Sequence, residues 1–270
     1  MRKYLFILAI AFPGIISICY AQNKSAIRYG NNPEAGHYKQ INGINMYYEI
    51  YGSGKPLILL HGNGGSINSF KEQISLFAGH YQVIAVDTRG QGKSTDETSE
   101  RFTYDLFAED IKTLLDTLKL KQVNILGWSD GGNTGLILAI KHPEYVKKLI
   151  TMGANLNPER TSVSPKILNQ TQTDLNKLKA KNDIKNRTDI LLLEMLLNEP
   201  HILPEDLQKI TAKTLVLAGE KDVILENHTR LIAKSIPNAE LIILKGQTHF
   251  APQENPAIFN QTVLDFLAKP

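Results

Sequence analysis

Six short, largely apolar runs recur along this 270-residue chain, at residues 57–60, 83–86, 123–126, 148–152, 214–218 and 241–244. Runs of this length with apolar residues on successive positions suit strands buried on both faces, the situation of a parallel sheet covered by helices. Helix-patterned stretches lie between them. Residues 104–118 place Phe107, Ile111, Leu114, Leu115 and Leu118 on one face, with Thr103 as N-cap. Residues 132–141 are small and apolar, as a helix packed closely on a sheet requires. Residues 226–236 and 256–267 are amphipathic. Strand and helix alternate, which predicts an α/β chain with a mostly parallel, doubly wound sheet and right-handed crossovers. The length suits one sizeable domain with an insertion. An earlier strand, residues 44–51, is rich in tyrosine and β-branched residues.

The alternation breaks once. Residues 155–210 hold no apolar strand, and four prolines divide them: Pro158, Pro165, Pro200 and Pro204. Residues 175–181 and 190–197 have a helical pattern. A connection of more than fifty structureless residues is rare in a compact domain. The segment is therefore expected to form a small helical cap over the carboxyl edge of the sheet, with the core made from residues 40–154 and 211–270. Residues 22–39 are polar and turn-rich and read as a linker.

The first 21 residues are a separate object. Arg2 and Lys3 precede an uncharged, mostly apolar run that ends in Cys19-Tyr20-Ala21. The small residues Cys19 and Ala21 fit a secretory cleavage site between Ala21 and Gln22, which predicts a signal peptide and an exported, periplasmic or secreted protein. Two other readings stay open: a lipid on Cys19, and an uncleaved anchor near the lower length limit for a bilayer span, interrupted at Pro13-Gly14. Cleavage leaves a mature chain without cysteine and without a stable membrane span.

Chemistry concentrates at Gly127-Trp128-Ser129-Asp130-Gly131, a G-x-S-x-G pattern that follows one apolar run and opens a small-residue helix. In that context the pattern describes a sharp strand-to-helix turn that raises a serine hydroxyl above the sheet. Ser129 is then a nucleophile in need of a base, an orienting acid and donors for the oxyanion. The carboxyl ends of the strands are the place to seek them. His249 follows the last strand and is the candidate base. Asp222 follows the strand at 214–218 and is the candidate acid; Glu220 is the nearer rival to the strand end. The order Ser, Asp, His is that of strand–turn–helix serine hydrolases. The backbone N–H groups of Asp130 and of Asn63, in the loop His61-Gly62-Asn63-Gly64-Gly65, are the candidate oxyanion donors. His61 is expected to support that loop, and Trp128 and Phe70 to wall the substrate pocket. Asp130 reads as a helix N-terminal charge, with contact to a cationic substrate group as the other reading.

These motifs resemble the α/β-hydrolase superfamily over residues 40–268. The likeness rests on H-G-N-G-G at His61, D-T-R-G-Q-G-K-S from Asp87 to Ser94, G-W-S-D-G-G from Gly127 to Gly132, and the surroundings of Asp222 and His249. The elbow is similar to that of valacyclovir-hydrolase-like and carboxylesterase-like members. Asn63 stands where the lipase-type loop has a third glycine. The resemblance implies an α/β-hydrolase fold and a serine hydrolase that cleaves a carboxylic ester or similar acyl bond of a small molecule through an acyl-enzyme. It implies architectural roles for Arg89 and Ser94. The same triad also serves C–C bond hydrolysis, perhydrolysis and lactone or amide hydrolysis, and a non-catalytic ligand-binding member is the alternative from another class.

Composition narrows the partners. The net charge is +3, from 30 basic and 27 acidic residues, with no basic stripe interleaved with aromatics, so nucleic acid is not an expected partner. Seven scattered histidines and one cysteine offer no local metal motif, and no glycine fingerprint for a nucleotide is present. No metal and no cofactor are expected, and oligomeric state is not readable.

Overall fold

The computed structural model describes residues 27–270. The predicted signal peptide, and the start of the predicted linker, lie outside the described residues. Eight strands form one sheet in the order β1-β2-β4-β3-β5-β6-β7-β8. They are β1 (Gly36–Ile41), β2 (Ile44–Tyr51), β3 (Pro56–Leu60), β4 (Gln82–Val86), β5 (Val123–Trp128), β6 (Val146–Met152), β7 (Lys213–Lys221) and β8 (Ala239–Thr248). The pairs β1–β2 and β2–β4 are antiparallel. Every other pair is parallel.

The apolar runs form the middle of this sheet because both of their faces are covered. Along β3, Ile58 and Leu60 join the core under α2 (Tyr104–Thr117), α3 (Asp130–Lys141) and α6 (Glu226–Ser235). Leu57 and Leu59 point to the opposite core, with α1 (Lys71–Ala78) and the carboxyl-terminal helix Pro256–Ala268. Such alternation over two faces leaves no polar position, hence the continuous apolar runs. Truncating a residue such as Leu59, which is fully buried, costs about 2–5 kcal/mol. Thr103 caps α2 as expected, its side chain accepting from Leu106 N.

The linker boundary needs correction. The sheet begins at Gly36, inside the stretch read as linker, because β1 is an edge strand with four exposed residues in succession and so carries no apolar run. Its signature was the turn. Asn42 and Gly43 both have positive φ, 44° and 83°, the two-residue hairpin geometry that an Asn-Gly pair adopts with least strain. The turn before β1 is also fixed. The buried Glu49 carboxylate accepts from the backbone N–H groups of Gly30 and Asn32 and from the hydroxyls of Tyr47 and Tyr51, all at 2.7–2.9 Å.

Between β6 and β7 stand α4 (Pro165–Lys181) and α5 (Arg187–Asn198). A Lys179–Glu194 ion pair of 2.7 Å joins them. An antiparallel bridge of Val163 with Ile224 ties the segment to the loop after β7. Among the described residues, no helix is long and apolar enough to cross a membrane.

Candidate active site

Ser129 sits at the point where β5 becomes α3, with φ 55° and ψ −117°. A non-glycine residue there is strained by roughly 1–3 kcal/mol and needs external support. Support comes from both sides: Ser129 N donates to Met152 O at 2.7 Å, and Ser129 O accepts from Gly132 N at 2.7 Å and Asn133 N at 3.1 Å. The glycines follow from close packing. A Cβ on Gly127 would stand 2.1 Å from Gly131 O, and one on Gly131 would stand 1.9 Å from Leu60 O. No side chain fits at either place.

His249 lies just past β8, and its Nδ1 is 2.6 Å from Asp222 Oδ1. The Asp222 carboxylate is buried and also accepts from Ile224 N at 3.0 Å and Gly219 N at 3.2 Å. A carboxylate held in this way fixes the imidazole with Nδ1 protonated and leaves Nε2 free as an acceptor. Glu220, the rival acid, is exposed and accepts from Gly246 N instead. Gly153 makes room for the pair: its φ is 65°, and a Cβ there would lie 2.6 Å from the His249 ring. No pattern within the loop after β6 marks that role, which depends on a histidine 96 positions later.

Trp128 joins the two halves of the site. Its indole Nε1–H donates to the His249 carbonyl at 2.9 Å, and its ring packs edge-on against Phe250. Phe70 departs from expectation. It packs behind Trp128 at 6.3 Å between ring centroids, fully buried in the core, and is not among the residues that wall the cavity. Its large apolar surface reads the same in sequence whether it faces core or pocket.

The glycine loop is braced from beneath. His61 is buried, Nε2 accepting from Thr88 N at 3.1 Å and Nδ1 donating to Gly62 O at 2.8 Å. Burial lowers its pKa to about 4 and keeps it neutral. Gln91 Oε1 accepts from Gly64 N at 2.7 Å. Gly62 approaches Ser129 so closely that a Cβ on it would be 3.1 Å from Ser129 Cβ. Among the described residues, no protein acceptor takes the backbone N–H of Asn63 or of Asp130. Both residues line the same cavity as Ser129. The Asn63 side chain has another partner, donating to Asp130 Oδ2 at 2.8 Å. Tyr104 OH donates to Asp130 Oδ1 at 2.7 Å. Burial raises the Asp130 pKa to about 6, against those two hydrogen bonds, which lower it. Arg89 and Ser94 are architectural: Arg89 is buried between Asp96 and Asp110, and Ser94 Oγ links Asp87 O to Tyr47 N.

Ser129, His249, Asn63, Asp130 and Trp128 border one cavity of about 340 Å³. Its outer wall comes from the segment between β6 and β7, through Val163, Ile167, Leu168 and Leu196. Asn155 and Glu199 add polar atoms, and among the described residues no lysine or arginine borders it. Among the described residues, no cluster of His, Cys, Asp or Glu could hold a metal ion. The arrangement offers a hydroxyl at the apex of the turn, an imidazole with an oriented tautomer, two free N–H donors and an apolar chamber.

The sequence profile of the alpha/beta hydrolase fold matches residues 55–195. "Serine hydrolase BPHL" of Mus musculus is 28% identical, covering 93% of this chain and 92% of its own length. "2-hydroxy-6-oxononadienedioate/2-hydroxy-6-oxononatrienedioate hydrolase" of Escherichia coli (strain K12) is 30% identical, with 90% and 96% covered. Among solved structures, the enol-lactonase from Burkholderia xenovorans superposes with a TM-score of 0.72 at 21% identity, covering 86% of this chain and all of that one.

Proposed function

The chain belongs to the α/β-hydrolase family and is a hydrolase; from that premise we propose that it cleaves a carboxylic ester or similar acyl bond of a small molecule, with Ser129 as nucleophile. The observation that carries this reading is the 2.6 Å His249–Asp222 hydrogen bond at the wall of the cavity that Ser129 enters. His249 Nε2 takes the Ser129 proton as Oγ attacks the acyl carbon. The backbone N–H groups of Asn63 and Asp130 receive the developing oxyanion at the amino-terminal end of α3, where the helix dipole adds to their effect. His249 then protonates the leaving group, and water releases the acyl chain by the same steps in reverse order.

Carbon–carbon bond hydrolysis by the same triad is the second reading, favoured by the Escherichia coli relative. That relative's name describes dioates, which carry two carboxylates. Among the described residues the cavity presents Asp130 and Glu199 and no lysine or arginine, a poor setting for two anions. The ester reading is the better supported. Replacement S129A is expected to abolish turnover of p-nitrophenyl acyl esters, with the thermal midpoint retained. Undiminished turnover in S129A contradicts the reading.

The basic start, the apolar run and Cys19-Tyr20-Ala21 support export with cleavage after Ala21. Amino-terminal sequencing of the protein from the producing organism should then begin at Gln22, outside the cytoplasmic fraction. A chain that starts at Met1 in the cytosol contradicts export.

A further inference from the structure

A second cavity, about 450 Å³, lies on the other side of the carboxyl-terminal turn of α5. Met195 and Leu197 face it, whereas Leu196 faces the catalytic cavity. Among the described residues, Glu199 alone borders both chambers. Its carboxylate, buried on its own side, accepts from Arg101 Nη2, and the Arg101 side chain is 66% exposed. Arg101 borders the second cavity only.

The pair closes one end of a clipped loop. Residues 96–101 run along α5 and are attached near its start as well, where Arg187 donates to the carbonyls of Asp96 and Ser99. One arginine thus holds the loop at each end of the helix. The Arg101 clip is the weaker. It is a single ion pair with one partner in solvent, an arrangement worth about 0–1 kcal/mol. Arg187 has two carbonyl partners and stands at the first residue of α5.

We propose that the Arg101–Glu199 pair is a specificity partition that sets the chain length of the substrate. Closed, it ends the catalytic chamber at Glu199, and the acyl or alkyl chain must fit within the first cavity. Open, it joins the two chambers beside the turn of α5 and admits a longer apolar chain along Leu191, Met195 and Leu197. The proposal rests on the ester-hydrolase reading for its substrate, and it concerns two residues outside the triad.

Two measurements test it, one through turnover and one without. The first compares kcat/KM for p-nitrophenyl decanoate with that for the butyrate. In R101A the decanoate-to-butyrate ratio should rise by about tenfold or more, the scale on which a pocket discriminates single methylenes. R101K, which keeps the ion pair, should stay near the parent ratio. The second uses the one tryptophan of the chain, Trp128 on the cavity wall, whose fluorescence reports occupancy whether or not any ester is turned over. In R101A the affinity for decanol relative to butanol should rise by a similar factor. A parent-like fluorescence ratio in R101A overturns the partition, even where S129A has upheld the ester reading. A raised fluorescence ratio in a protein that cleaves no ester sustains the partition and overturns only the ester reading.

Discussion

The elbow of β5 and α3 and the cover of α4 and α5 face each other across one cavity, and they are held in different ways. The elbow is fixed by backbone. Ser129 donates to Met152 O and accepts from two N–H groups, and its glycines leave no room for a methyl group on either side. The cover is held mainly by side chains, among them the exposed Lys179–Glu194 pair and the Arg101–Glu199 pair, with the bridge of Val163 with Ile224 as a backbone tie at its edge. Backbone-held geometry is stiff and places reacting atoms to within tenths of an ångström, as acyl transfer requires. Side-chain clips of this type are individually weak and suit a wall whose shape selects the substrate. The chemistry is therefore expected to be intolerant of change and the selectivity adjustable.

On stability the largest effect that sharpens this contrast is at the elbow. G131A places a methyl group 1.9 Å from Leu60 O and should cost more than about 3 kcal/mol, the upper end of ordinary overpacking. Urea denaturation measures it. A cover substitution such as L168A, at a residue that is only partly buried, should cost under about 1.5 kcal/mol in the same assay. Comparable losses at the two positions break the contrast.

On catalysis the largest effect is expected at the acid. D222N keeps the shape but reverses the hydrogen-bond sense at His249 Nδ1, and kcat on a short ester should fall by about 10⁴, the loss known when a serine protease triad is changed in this way. The parallel change E220Q, at the exposed rival acid, should leave kcat within a factor of about two, as surface substitutions do. Equal losses at the two positions would remove the assignment of Asp222. Trp128 sits between these extremes. W128F deletes the Nε1–H donor to the His249 carbonyl while keeping an aromatic ring, and should lower kcat by roughly tenfold, the worth of one hydrogen bond, with KM little changed. A loss confined to KM would return Trp128 to a simple wall residue.

A further check concerns pH. The groups shifted by burial at the elbow end are Asp87 and Asp130, each raised to about 6, and His61, lowered to about 4. On the cover, Asp174 and Asp206 lie in solvent and are lowered by neighbouring side chains, among them Lys177 and Lys209. An acid raised in the fold contributes stability that is complete below its unfolded value and lost as pH rises through about 6. A histidine lowered in the fold contributes stability that is complete above its unfolded value and lost as pH falls toward about 4. From pH 7 to 5 the two acids gain and His61 loses, so the stability curve should be nearly flat. H61Q removes only the loss, and on acidification it should gain about 2 kcal/mol relative to the parent protein. Parallel curves for the two proteins contradict the buried, neutral assignment of His61.

The same contrast explains what could be read from the sequence. The elbow was legible because its constraint is local: five consecutive residues between an apolar run and a small-residue helix specify one backbone path. The pairing of Asp222 with His249 was legible because the sheet topology places the ends of β7 and β8 side by side. The edge strand β1 was hidden by its exposure, although Asn42-Gly43 announced its hairpin. Phe70 lies one layer behind its expected position, because an apolar residue next to a pocket and one behind its wall have the same sequence signature. Gly153, Glu199 and Arg101 carried no signal, since each matters only through a partner that is distant in the chain.

The central claim is that His249 activates Ser129, and covalent labelling tests it most directly. A fluorophosphonate probe followed by peptide mapping should place a single adduct on Ser129 in the parent protein. In H249Q the labelling rate should fall by about 10³ or more, the contribution of a positioned base to an otherwise unreactive hydroxyl. An adduct on any other residue, or labelling of Ser129 at an unchanged rate in H249Q, contradicts the account.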